Sequence, residues 1–103
     1  MFVEVTLRSV NMIPGTDENR QSLADLLSWL SKNARSYQTG AIFEPAICGW
    51  KSFSIYDCIV ASELLEGFKE SENLYSNGEI YETYIYYDFF GIQFELLKER
   101  RLP

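Results

Sequence analysis

The 103-residue chain contains no histidine. That absence removes the side chain most often used as a general base near neutral pH, together with the triads and imidazole–metal sites built on it. Cysteine is nearly as scarce, with only Cys48 and Cys58. Two thiols without an imidazole are too few for a structural zinc site, and their spacing is not the Cys-x-x-Cys of a redox pair. The six glycines stand apart at 15, 40, 49, 67, 78 and 91, so there is no phosphate-cradling loop. No apolar run approaches the ~20 residues of a membrane-spanning helix. The opening residues, Met-Phe-Val-Glu-Val, lack a basic lead and carry Glu4 inside the apolar stretch, unlike a secretory signal. The expected compartment is therefore the cytoplasm, with both cysteines reduced and mostly buried.

Positive charge is also short. Nine Lys and Arg stand against fifteen Asp and Glu, for a net charge of −6. Such a chain is repelled by nucleic-acid backbones and anionic membranes, so neither is an expected partner. The one cationic spot, Lys98, Arg100 and Arg101, reads as a solvated terminus. Thr16-Asp17-Glu18-Asn19 offers oxygen ligands without calcium-loop spacing and reads as a polar turn feeding a helix. No catalytic residue, metal or cofactor is assigned. Paired-carboxylate catalysis needs a cleft for which one small domain has little room.

What is present is a foldable apolar content, 47% hydrophobic and 16% aromatic, over a length that suits one domain. Residues 2–10 alternate, with Val3, Val5, Leu7 and Ser9 on the apolar face, and predict a strand. Pro14-Gly15 predicts a turn. Ser22 with Asp25 resembles a capping box ahead of Leu23, Leu26, Leu27, Leu30 and Ala34, so a long helix is predicted over about 20–35. Trp29 lies off its main stripe. A short strand over 40–43 and a loop over 46–50 precede a strand at 53–61, where aromatic and β-branched residues outweigh the cap-like Ser54-x-x-Asp57. Ser62 is expected to cap a second helix over about 62–70, with Glu63, Glu66 and Glu70 on one exposed face. Asn77-Gly78 marks a turn, and residues 79–89 and 92–99 read as a hairpin folded near Phe90-Gly91. The sum is a single α+β domain over 1–103, an antiparallel sheet of about four to five strands carrying one long and one shorter helix.

Charge is unevenly distributed along this pattern. Residues 57–88 hold eight carboxylates against Lys69, a net of −7, while the rest of the chain nets +1. The same third holds five of the seven tyrosines. Anionic charge steers encounters with cationic surfaces, and tyrosine buries rigid area with a hydroxyl to spare. The candidate partner-binding residues are therefore Asp57, Glu63, Glu66, Glu70, Glu72, Glu79, Glu82, Tyr84, Tyr86 and Asp88, with Tyr81 and Tyr87 on the alternate face of the hairpin. The function expected from this pattern is a stoichiometric inhibitor, of the kind a bacterial immunity protein or antitoxin represents, covering a basic toxin such as a nuclease. The alternatives are a phage anti-defence protein whose carboxylates imitate DNA phosphates, and a structural subunit that pairs through the aromatic hairpin. The sequence leaves monomer and homodimer both open.

Overall fold

A computed structural model of residues 1–103 shows six strands and two helices in the order β1 (Phe2–Ser9), α1 (Asp17–Asn33), β2 (Ser36–Glu44), β3 (Gly49–Ala61), α2 (Ser62–Glu66), β4 (Lys69–Ser76), β5 (Tyr81–Phe89), β6 (Ile92–Arg101). One antiparallel sheet contains all six strands in the order β2-β3-β1-β6-β5-β4. The α+β class and the single antiparallel sheet agree with the sequence pattern. The expected four to five strands do not, because residues 69–76 form a strand where the second helix was predicted to run to about 70 and no element was predicted over 71–76.

In β1, alternation puts Val3, Val5, Leu7 and Ser9 on the inner face, each at most 7% exposed. The hydroxyl of Ser9 accepts a hydrogen bond from the Phe53 N–H at 2.9 Å, which satisfies a polar group inside the core. Helix α1 begins at Asp17, three residues earlier than predicted. Thr16 is the N-cap and accepts from the Asn19 N–H at 3.1 Å, with Asp17 and Glu18 complementing the first-turn dipole. Ser22 lies inside the helix, its hydroxyl turned back to the Glu18 carbonyl at 3.1 Å, and is no cap. Leu23, Leu26 and Leu30 press onto the sheet.

Strand β2 is longer than predicted, and β3 begins at Gly49, inside the expected loop, after a single turn of 3-10 helix at Pro45–Ile47. That corner crosses the chain ahead of α1 at backbone contact. A Cβ on Gly49 would sit 2.1 Å from the Ile13 carbonyl oxygen, and one on Gly15 would sit 1.7 Å from the Cys48 oxygen. Only glycine allows the Ile13–Trp50 bridge to form there. Arg20 ties the crossing by donating to the Gly15 and Cys48 carbonyls at 3.1 and 3.2 Å.

Helix α2 ends at Glu66, not near residue 70. Phe68 then turns inward and begins an aromatic cluster under α1. Trp29 meets Phe68 edge-on at 5.0 Å, Phe89 lies 5.0 Å from Phe68 and 5.5 Å from Phe94, and Tyr87 stacks on Phe89 at 5.7 Å. Trp29 therefore extends the core.

Phe89 sits at the centre of this cluster, 1% exposed. Phe89→Ala should lower unfolding stability by about 3–5 kcal/mol through lost transfer energy and the cavity left behind. Urea denaturation followed by tryptophan fluorescence measures it. A loss below about 1 kcal/mol would show that the cluster does not hold α1 to the sheet.

Candidate functional site

The sheet is covered on one face only. The molecule measures 41 × 34 × 20 Å, and its radius of gyration is 14.3 Å, against about 13 Å for a compact chain of this length. The excess is consistent with the projection of the β4–β5 hairpin. The ladder between them runs from Lys69↔Tyr87 to Ser76↔Tyr81, but β5 pairs with β6 only from Tyr86 to Phe89. Residues 71–84 thus extend past the helical layer. Tyr81 is 71% exposed although it shares a strand face with buried Tyr87.

The register defines the outer face of this arm. Tyr75 lies opposite Glu82, Asn73 opposite Tyr84 and Ser71 opposite Tyr86. Tyr75 and Tyr84 meet edge-to-face at 5.2 Å, a diagonal cross-strand pair. The Tyr84 hydroxyl donates to Glu82 Oε2 at 2.5 Å, and that bond, with the carboxylate charge beside it, raises the Tyr84 pKa above the ordinary phenol. Tyr75, Glu82, Tyr84 and Tyr86 together line a shallow depression of about 400 Å³ on the helix-free face. The chain offers a flat aromatic surface with one anchored carboxylate, suited to protein contact and not to enclosing a small ligand. No three of the Cys, Asp and Glu side chains converge as metal donors.

The structure gathers only part of the predicted set. Glu82, Tyr84 and Tyr86 are together. Asp57 is not with them, because it occupies a bulge in β3, at φ +50°, where the β1–β3 and β2–β3 registers both shift, separated from β5 by β1 and β6. Glu63 pairs with the N-terminal amine at 3.0 Å; a bond from its own backbone and that pairing hold its carboxyl below the usual range. Glu63, Glu66 and Glu70 do not share a helix face, since Glu70 lies on β4 and accepts from Gln93 Nε2 at 2.9 Å. Glu72 pairs with Lys69 at 2.7 Å, and Glu79 lies in the β4–β5 turn. Asp88, near the end of β5, serves the turn: its Oδ1 accepts from the Gly91 N–H at 2.8 Å and fixes the Phe90-Gly91 turn, whose φ values are +58° and +97°. Tyr75 was missed. It was counted in the tyrosine-rich third, but residues 71–76 carried no predicted strand to place it on the face of Tyr84.

The cysteines also divide. Cys58 is buried and Cys48 exposed, contrary to the expectation of two mostly buried thiols, and both are free. Burial pushes Cys58 up to about 11 and Tyr87 up to about 12. For Tyr87 the charges of Glu99, Glu66 and Glu72 add to burial.

Comparison of the chain with protein-family models, with curated proteins and with solved structures finds no significant match in any of the three. No helix is long and apolar enough to cross a membrane.

Two outcomes follow from these geometries. Between pH 9 and 11 the native state keeps the Cys58 proton that the unfolded chain releases, so stability falls as pH rises, by up to about 1.4 kcal/mol per unit from this group. Urea midpoints at pH 8, 9.5 and 10.5 measure the slope, and Cys58→Ala should flatten it; an unchanged slope would clear Cys58 of the effect. Separately, Asp88→Ala should cost about 1 kcal/mol of stability by freeing the Gly91 N–H while leaving the Tyr75–Tyr86 surface intact. A thermal melt beside the ring-proton spectrum of that surface checks both halves.

Proposed function

We propose that this chain is a stoichiometric binding protein that neutralises a cationic enzyme, a nuclease-type toxin being the kind its charge suits. The observation that carries the reading is the joining of Tyr75, Glu82, Tyr84 and Tyr86 on the uncovered face of the projecting hairpin. Tyrosines near the centre of a contact supply most of the binding energy, and surrounding carboxylates accelerate the encounter. The charge supports this division of labour. Glu66 and Glu79 make none of the chain's three ion pairs and remain free to steer from the flanks, whereas Glu63 and Glu72 are already paired. A substrate channel built for phosphate is a cationic groove, and an anionic arm can occupy it without performing chemistry. The DNA-imitation alternative draws less support, since Asp57 on β3 is separated by β1 and β6 from the carboxylates of β4 and β5.

The test is a photo-crosslinking residue in place of Tyr86 in the native cell, followed by purification of the captured protein. The expected capture is one basic protein whose enzymatic activity falls to zero at one equivalent of this chain. Activity that persists at molar excess, an acidic captured partner, or no capture overturns the reading. With that partner, Tyr84→Ala and Tyr86→Ala should each raise the dissociation rate at least tenfold, about 1.4 kcal/mol or more. Glu82→Lys should lower the association rate, more at low salt than at high. Stopped-flow and surface-plasmon measurements separate the two rates.

A further inference from the structure

Strands β5 and β6 diverge early. Their ladder ends at Tyr86↔Glu95. Beyond that pair, β5 runs through Ile85 to Tyr81 against β4 alone, and β6 runs from Leu96 to Arg101 against β1 alone. Two strand edges therefore face one another with no ladder between them, and no other internal seam of the sheet opens in this way. An unladdered edge is a template for another chain, and here a single added strand would lie between two of them. The fork holds a cavity of about 350 Å³ lined by Glu82, Thr83, Tyr84, Glu95, Leu96 and Leu97.

The walls of the fork differ by face. Thr83 and Ile85 share a face with buried Tyr87, and Leu96 lies opposite buried Leu7, so these three belong to the helix side. Glu82, Tyr84 and Glu95 belong to the open side, and neither glutamate joins any of the three ion pairs of the chain. Arg8 lies opposite Glu95, while Lys98 and Arg100 lie farther along β6, opposite Thr6 and Glu4. Cations on an added strand are therefore favoured near Glu95 at the inner end and beside Glu82 on the β5 wall, both of which line the cavity.

We propose that this fork receives an extended segment of a protein partner, alternating cationic and apolar residues, as an added strand between β5 and β6. The proposal rests on the reading of the chain as a binder of a basic partner, and it names the element by which that partner is held. Cationic side chains would meet Glu82, Glu95 and the Tyr84 hydroxyl, and apolar ones would meet Ile85 and Leu96. A second copy of this chain is the poorer occupant. Its edge strand β2, Ser36–Glu44, has no basic residue, and its edge strand β4 brings Glu70 and Glu72 with one lysine that is already paired.

The experiment uses the full chain and three octapeptides: alternating Lys-Val, alternating Glu-Val, and a block peptide of four lysines followed by four valines. Fluorescence anisotropy gives affinity, and amide hydrogen exchange by NMR gives location. The alternating Lys-Val peptide should bind at least tenfold more tightly than the other two and slow exchange within residues 81–85 and 96–99. Glu95→Gln, which places no like charge opposite Arg8, should reduce that affinity at least tenfold without moving the thermal midpoint of the free protein. Equal binding of the block peptide, no binding, or protection confined to β2 or β4 overturns the proposal. A dimer seen by sedimentation of the chain alone, protecting the same amides, overturns it in favour of a second copy. Whether the chain inhibits a captured basic enzyme is a separate readout, so the fork and the functional reading can fail independently.

Discussion

One seventeen-residue helix has to close the apolar face of a six-stranded sheet, and this mismatch governs the rest of the molecule. A helix with its side chains is about 10 Å across, whereas six strands at about 4.8 Å spacing span nearly three times that. The helix can seal only the centre. It does so where Leu23, Leu26 and Leu30 meet Val3, Val5, Leu7, Ile55 and Phe94, and it extends its reach with Trp29 against Phe68 and Phe89. Without that aromatic bridge β5 would have little tying it to the helical layer, and the arm it carries would lose its anchor.

The β4–β5 arm follows from the same shortage. Past Tyr86 no helix lies over the strands, and a two-stranded ribbon alone is at best marginally stable in water. The arm keeps Leu74, Tyr75, Ile80 and Tyr81 more than half exposed, so it carries large side chains that its own fold does not bury. Edge-to-face packing of Tyr75 on Tyr84 and the Tyr84–Glu82 hydrogen bond stiffen one side of it. Stiffening before contact reduces the ordering cost of binding, which is why an aromatic ribbon of this kind is better suited to docking than an equally acidic loop.

The central strands and α1 were legible because each carries one strong period: two in Phe2–Ser9 and in much of Tyr81–Phe89, near 3.6 along Leu23–Leu30. The parts that misled lacked one. Lys69–Ser76 reads Lys-Glu-Ser-Glu-Asn-Leu-Tyr-Ser, polar on both faces, and its strand state comes from pairing with β5. Its Glu70 therefore continued the apparent helix of Glu63 and Glu66. The helix start was displaced because both Thr16 and Ser22 can cap, and the close Gly15–Cys48 crossing, invisible in local pattern, favours the earlier one. Of the candidate site, alternation put Glu82, Tyr84 and Tyr86 on one face, but that this face and not that of Tyr81 and Tyr87 lies open is decided by the burial of Tyr87 under the helix. Their neighbour Tyr75 could not be placed, since its position depends on a strand the pattern hid.

Charge count and charge function separate for the same reason. A tally of residues 57–88 treats its carboxylates as equivalent, but the fold gives them different work. Asp88 locks a turn, Asp57 sits in a β-bulge far from the arm, Glu63 and Glu72 are paired with nearby amines, and Glu70 holds Gln93. An ion pair or a turn hydrogen bond ties a carboxylate to this chain, so recruiting it to a partner means first giving up that contact. The carboxylate beside the tyrosines is Glu82, whose one hydrogen bond is to the Tyr84 hydroxyl of the same surface, and Glu95, outside the acidic segment, lines the same cavity. The surface most able to hold a cation is thus built from both ends of the charge map, because β6 carries its glutamate back alongside the arm.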